Sequence, residues 1–192
     1  MFFKIYKFSI KAGVHLYTWL IKSAFHSFGK RSRIGRGAKL VEPGLIEIGD
    51  FVSIGEQAWL NAKDDRGDGQ PTLKIGSNTY IGRQVQINAW RDVVIGNDVL
   101  IGDRVYISDA DHNFKDNNAP IKRQGEHFKG TVVIESGAWI GIGAVILPGV
   151  TLGRNAIIAA NAVVTKSVPD FAIAAGVPAI IIKLRKGASY DH

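Results

Sequence analysis

A six-residue repeat runs through most of this chain. Ile48-Gly49, Ile54-Gly55, Ile75-Gly76, Ile81-Gly82, Ile95-Gly96, Ile101-Gly102, Ile140-Gly141 and Leu152-Gly153 each open a hexapeptide whose fifth residue is small or β-branched. In frame, the aliphatic residues group in threes: Ile48, Ile54, Leu60; Ile75, Ile81, Ile87; Ile95, Ile101, Ile107; Ile134, Ile140, Ile146; Leu152, Ile158, Val164. Three sixes predict one coil of a triangular parallel β-helix, an all-β solenoid. The aliphatic residue points inward and the small fifth residue (Val52, Ala58, Val85, Val99, Val105, Ala138, Ala144, Val150) fits the narrow interior. A glycine or short polar residue is expected to turn each corner. One coil cannot bury its apolar face alone, so coils must stack at about 4.8 Å to make a core. A sandwich would need hairpin signals and strict alternation, which the repeat does not show.

Composition narrows the chemistry. The chain has no cysteine, which excludes a disulfide framework, a thiolate metal site and a cysteine nucleophile, and fits a reducing, cytoplasmic compartment. With 24 Lys and Arg against 17 Asp and Glu, the net charge of +7 favours an anionic partner: nucleotide phosphates, an acidic glycan or a membrane surface. No nucleic-acid recognition motif accompanies it.

The chain divides into residues 1–30, an N-terminal amphipathic helical segment, and residues 31–192, the β-helix with its loop 109–130 and C-terminal tail. Phe3, Tyr6, Ile10, Val14, Tyr17, Ile21, Ala24 and Phe28 recur every three or four residues, with Lys4, Lys7, Lys11, Thr18 and Lys22 on one face. The lysines interrupt any stretch long enough to span a bilayer and break the apolar region of a signal peptide. Two roles stay open: a helix lying in the membrane interface, giving peripheral contact at the inner face, or a cap over the first coil, which a solenoid needs for solubility. Lys30, Arg31, Arg33 and Arg36 continue the basic run, as a solvated face or as phosphate contacts.

Two interruptions break the repeat, at 61–72 and 109–130. Insertions on a rigid scaffold are where function concentrates, and the second holds two of the five histidines, His112 and His127. In the segments ISDADHNF (Ile107 to Phe114), AWIGIGAVILPGVTLG (Ala138 to Gly153) and NAVVTKSVPDFAIAAGVPA (Asn161 to Ala179), the chain resembles the hexapeptide-repeat acyltransferases. Within them it is similar to the sugar O-acetyltransferases acting on galactosides, maltose and polysaccharides. The resemblance implies a left-handed β-helix assembled as a homotrimer, with acetyl-CoA as co-substrate, no metal, a carbohydrate acceptor and active sites between subunits.

The resemblance also implies site residues. His112 would be the general base that takes the acceptor hydroxyl's proton, with Asp109 or Asp111 orienting its ring. Acetyl-CoA would lie along Trp139, Gly141, Ile142 and Ala160, the Ile142 amide facing the thioester carbonyl. Thr165, Lys166, Lys183 and Arg185 would sit near the nucleotide end, unless the lysines only protect a strand edge. Asn88, Trp90 and His127 are candidates for the acceptor, although Asn88 equally suits a left-handed corner and Trp90 could simply cover the coil. The expected activity is O-acetylation of a surface polysaccharide or its precursor. N-acetylation of an amino sugar, a noncatalytic scaffold and a carbonic-anhydrase-like metal site are the alternatives, the last lacking the histidine set it needs.

Overall fold

The computed structural model describes residues 13–185. The expected helical positions at 3–10, with Lys4, Lys7 and Lys11, and the tail from residue 186 lie outside the described residues. Among the described residues six coils stack into a left-handed β-helix. Each coil gives one short strand to each of three faces, and like strands pair in parallel across coils.

The register follows the repeat. Ile48, Ile75, Ile95, Ile134 and Leu152 stack on the first face. Ile54, Ile81, Ile101, Ile140 and Ile158 stack on the second. Leu60, Ile87, Ile107, Ile146 and Val164 stack on the third. All are essentially buried, as are the small fifth residues from Val52 to Val150. The core is therefore one continuous column, and each inward residue contacts its equivalents in the coils above and below.

The glycine after the aliphatic residue has a role different from the expected corner. A Cβ on Gly55 would lie 2.5 Å from the Gly82 carbonyl carbon of the next coil, so close stacking demands its absence. The left-handed turn falls later in the hexapeptide, at residues such as Phe51, Gln57, Gln84 and Arg104 as well as at Gly143. Bulky side chains are tolerated there because they point away from the axis; Arg31 lies over the Phe51 ring at 5.4 Å.

The expected boundary at residue 30 is displaced. Phe28, Ile34 and Leu40 are themselves six apart and pair with Ile48, Ile54 and Leu60, so Ser27–Phe28 opens the first coil instead of ending a helix. An aromatic in an aliphatic frame, at a position that also fits helical spacing, hid this from the sequence. Helix occupies 13–21, followed by a 3-10 turn at Lys22–Ala24. The helix covers the open end of the first coil. Tyr17 and Ile21 pack on the core, the Ile34 N–H donates to Thr18 Oγ1 at 3.0 Å, and the Tyr17 hydroxyl donates to the Ala38 carbonyl at 3.3 Å. At the other end Ala172–Gly176 and Ala179–Leu184 form an antiparallel hairpin that joins the second face. No described helix is long and apolar enough to cross a membrane.

Ile101 lies mid-column with no exposure, so Ile101→Ala should cost about 2–5 kcal/mol, read as a lowered urea midpoint with an unchanged slope.

Candidate functional site

Both insertions leave the solenoid at the same corner, because each follows a third-face strand. Residues 63–71 follow Trp59–Ala62, and the long insertion follows Tyr106–Ser108. Near this corner the third-face strands lengthen: Trp59–Ala62 and Gln86–Ala89 have four residues, whereas Val145–Ile146 and Val163–Val164 have two. The added residues carry an outward polar ladder, Asn61, Asn88 and Ser108 in register. The Asn61 amide donates to Asn88 Oδ1 at 3.1 Å, and the Asn88 amide donates to the Tyr106 hydroxyl at 3.2 Å. Asn88 thus sits within a strand and not at a corner, its φ outside the left-handed region.

Over this ladder the insertion folds back as a hairpin, Ala110–His112 antiparallel to Glu126–Phe128, which sets His112 opposite Glu126. A cavity of about 270 Å³ results, lined by Trp59, Asn61, Asn88, Tyr106, His112 and Glu126 among others. Its walls are neutral hydrogen-bonding groups and two indoles, with one imidazole and two carboxylates, Asp111 and Glu126, at the mouth. His112 Nε2 stands 3.5 Å from Glu126 Oε1.

The two aspartates have other work. Asp109 is fully buried, and its carboxylate accepts the backbone N–H groups of Trp90, Arg91 and Asp92, each at 2.8 Å. It ties down the turn carrying Trp90, and the expectation that it could hold the His112 ring is corrected: its oxygens are already committed. Asp111 accepts Lys129 Nζ at 3.1 Å and the His112 backbone N–H at 2.8 Å. The Lys129 hydrogen bond holds its carboxyl below the usual range, against the opposing effect of burial. The carboxylate facing the ring is Glu126, which the sequence did not single out. Strand alternation explains why His127, its neighbour, is absent from the cavity lining. Trp90 is 5% exposed and lines the cavity, with Lys63 Nζ 4.0 Å from its ring centroid.

The other expected residues gather elsewhere. Trp139 is half exposed on the second face, in register with Leu100 and Ile157. Gly141 and Ile142 turn the corner between second and third faces, and a Cβ on Gly141 would meet the Ala160 nitrogen at 2.6 Å, which places Ala160 directly above. A polar side chain from the next coil accepts a backbone amide at some corners, as Asp103 does for Arg83 between the second and third faces and Asp170 for Arg154 between the first and second. Above Ile142 the residue is alanine, which has no acceptor, so this corner offers backbone amides to a ligand. Lys183 and Arg185 are exposed on the terminal strand and just beyond it, by the second face, whereas exposed Thr165 and Lys166 follow Val163–Val164 at the corner after the third face. None of these residues lines the cavity of His112. The His112 cavity and the Trp139–Ile142 corner therefore lie on different edges of the prism within one chain. Among the described residues no group of three His, Cys, Asp or Glu side chains converges as a metal would require.

Comparison with known proteins agrees with this architecture. Residues 131–166 match the family described as bacterial transferase hexapeptide (six repeats). An Escherichia coli protein named for lipopolysaccharide biosynthesis O-acetyl transfer is 35% identical, over 78% of this chain and 74% of its own length. A probable acetyltransferase of Mycobacterium tuberculosis is 36% identical over 80% of this chain, which spans only 50% of that relative. Among solved structures, an N-acyltransferase from Bacillus cereus in complex with dTDP and 3-hydroxybutyryl-CoA superposes with a TM-score of 0.75 at 27% identity, covering 88% of each chain.

Two outcomes test this geometry. Asp109→Ala leaves three backbone donors without their acceptor and should cost about 2–4 kcal/mol, measured by thermal melting. Asp111 has a depressed carboxyl pKa, so its pairing with Lys129 contributes above the ordinary carboxylate range and is lost as pH falls through the depressed value. Proteolysis within 109–130 should therefore accelerate only below about pH 4, and Lys129→Met should bring the same susceptibility at neutral pH.

Proposed function

Because the chain belongs to the hexapeptide-repeat acetyltransferases, we propose that it moves an acetyl group from acetyl-CoA to a carbohydrate hydroxyl. The observation that carries this reading is the His112–Glu126 pair at the mouth of a neutral, hydrogen-bonding cavity. A sugar hydroxyl is a weak nucleophile until a base takes its proton as the new bond forms. Glu126 faces Nε2, orients the ring and stabilises the imidazolium, which leaves Nδ1 to receive that proton. The acceptor oxygen attacks the thioester carbonyl carbon, the C–S bond breaks, and the proton held by His112 passes to the departing thiolate. No covalent acyl-enzyme is needed, in keeping with a chain free of cysteine.

The acceptor's polar edges suit Asn61, Asn88 and Ser108, and its ring suits the indoles of Trp59 and Trp90. The amides at the Ile142–Ala160 corner suit the amide-bearing arm of coenzyme A, and Lys183 and Arg185 its phosphates. Since one chain holds the two half-sites apart, the reading requires a neighbouring copy, in a homotrimer, to bring a Trp139–Ile142 corner to each His112. The relative named for lipopolysaccharide biosynthesis supports a surface glycan or its precursor as acceptor, which would bring the enzyme to the inner face of the membrane. The Bacillus cereus N-acyltransferase, also solved as a mutant in complex with dTDP-4-amino-4,6-dideoxyglucose and coenzyme A, supports a second reading, N-acylation of an amino sugar in the same cavity.

Thiol release from acetyl-CoA with a panel of sugars and nucleotide sugars tests the proposal. Acceptor-dependent release should fall about 10²–10⁴-fold in His112→Ala; equal release in both proteins would remove His112 as the base. Glu126→Gln should lower kcat roughly 10–10³-fold with little change in KM. An acetyl product that mild alkali removes is an ester, and one that survives is the amide of the second reading.

A further inference from the structure

The helix over 13–21 has two apolar sides, and among the described residues packing uses only one. Tyr17, Thr18 and Ile21 face the first coil, while Leu16, Trp19 and Leu20 point outward with 59%, 63% and 61% exposure. Capping needs only the inner side, and a soluble end plate would carry polar residues on the outer one. Charge is as uneven as hydropathy. Nine of the 24 Lys and Arg, and none of the 17 Asp and Glu, precede Glu42, so the excess positive charge of the protein resides at this end. Lys22, Lys30, Arg31, Arg33, Arg36 and Lys39 are all exposed around the helix and the first coil. Among the described residues none of them forms a salt bridge, whereas Arg66, Arg83, Arg91 and Arg154 farther along the chain are each paired with an aspartate.

We propose that the outer face of this helix, with the basic first-coil segment before Glu42 around it, docks the protein on an anionic lipid bilayer with the solenoid axis pointing away from the membrane. A tryptophan beside two leucines suits the interfacial layer, where an indole meets both hydrocarbon and headgroups. The surrounding cations meet the headgroup charge. The placement also orders the acceptor site. Lys39 of the first coil stacks 4.2 Å from the ring centroid of Trp59, and Trp59 lines the cavity of His112. In register above Trp59 come Gln86 and Tyr106. The third face therefore runs unbroken from the basic rim to the catalytic mouth, a rise of roughly 15 Å over three coils. A glycan presented at a membrane surface can reach His112 along this ladder. That consequence rests on the acyl-transfer reading, but the docking itself does not.

The test is co-sedimentation of the full chain with vesicles of phosphatidylcholine alone or mixed equally with phosphatidylglycerol. The protein should partition onto the mixed vesicles, at least about tenfold more weakly on phosphatidylcholine alone and on mixed vesicles in high salt. The triple variant Leu16→Gln, Trp19→Gln, Leu20→Gln should lose about tenfold or more of the partitioning while keeping the wild-type melting temperature, since the inner side of the helix is intact. Its thiol release with a soluble acceptor should also be unchanged. Failure of the wild type to sediment, equal binding to both vesicle types, or undiminished binding of the triple variant would each overturn the proposal. So would a change in oligomeric state in the variant without vesicle binding by the wild type, which would assign the face to a second copy. Absence of acetyl transfer with intact vesicle binding would instead count against the catalytic reading alone.

Discussion

Everything in this protein hangs on the stacking of inward aliphatic side chains from one coil onto the next. A column of isoleucines on each of three faces fixes the register, because slipping by one residue would turn the buried set outward. Glycine after the aliphatic residue lets the coils approach, as the 2.5 Å clash awaiting a Cβ at Gly55 shows. A scaffold held in register along its length can place side chains from distant points in sequence side by side. Asn61, Asn88 and Ser108 are neighbours for that reason alone.

The same regularity governs where the chain departs from it. Two insertions separated by two coils emerge at one corner, and the longer returns as a hairpin over the extended third-face strands. Asp109 secures the root of this excursion by capping three successive backbone amides. The resulting mouth is small, mostly neutral and served by a histidine beside a glutamate. The corner at Ile142 and Ala160, where alanine supplies no side-chain cap, lies on a different edge of the prism from this mouth. The division of labour between these edges is what makes a neighbouring subunit part of the proposed chemistry.

Much of this was legible in the sequence because the repeat is a direct image of the core. The inward positions from Ile48 to Val164 and the small fifth residues could be read off by counting sixes. What counting missed had physical causes. Phe28 fits both a helical and a six-residue spacing, and only the pairing of Ser27–Phe28 with Ile46–Ile48 decides between them. Glu126 lies in a stretch without repeat, and its place opposite His112 follows from a hairpin that crosses the insertion. Asp109 and Asp111 flank the histidine's neighbourhood in sequence, yet backbone amides and Lys129 claim their oxygens. Asn61 could have been found, since it stands one residue after an inward leucine just as Asn88 and Ser108 follow their isoleucines.

The central claim is that each active centre takes its base from one chain and its acyl-donor corner from another, and subunit mixing tests it most directly. A His112→Ala chain and an Ala160→Trp chain, each inactive alone, would be unfolded together and refolded in equal amounts. If neighbouring chains share each site, the mixture should recover about a quarter of wild-type acetyl transfer, the fraction of interfaces that random assembly of a closed trimer leaves intact. If both half-sites serve within one chain, no site in the mixture is whole, and activity that stays at the level of the separate variants would contradict the account.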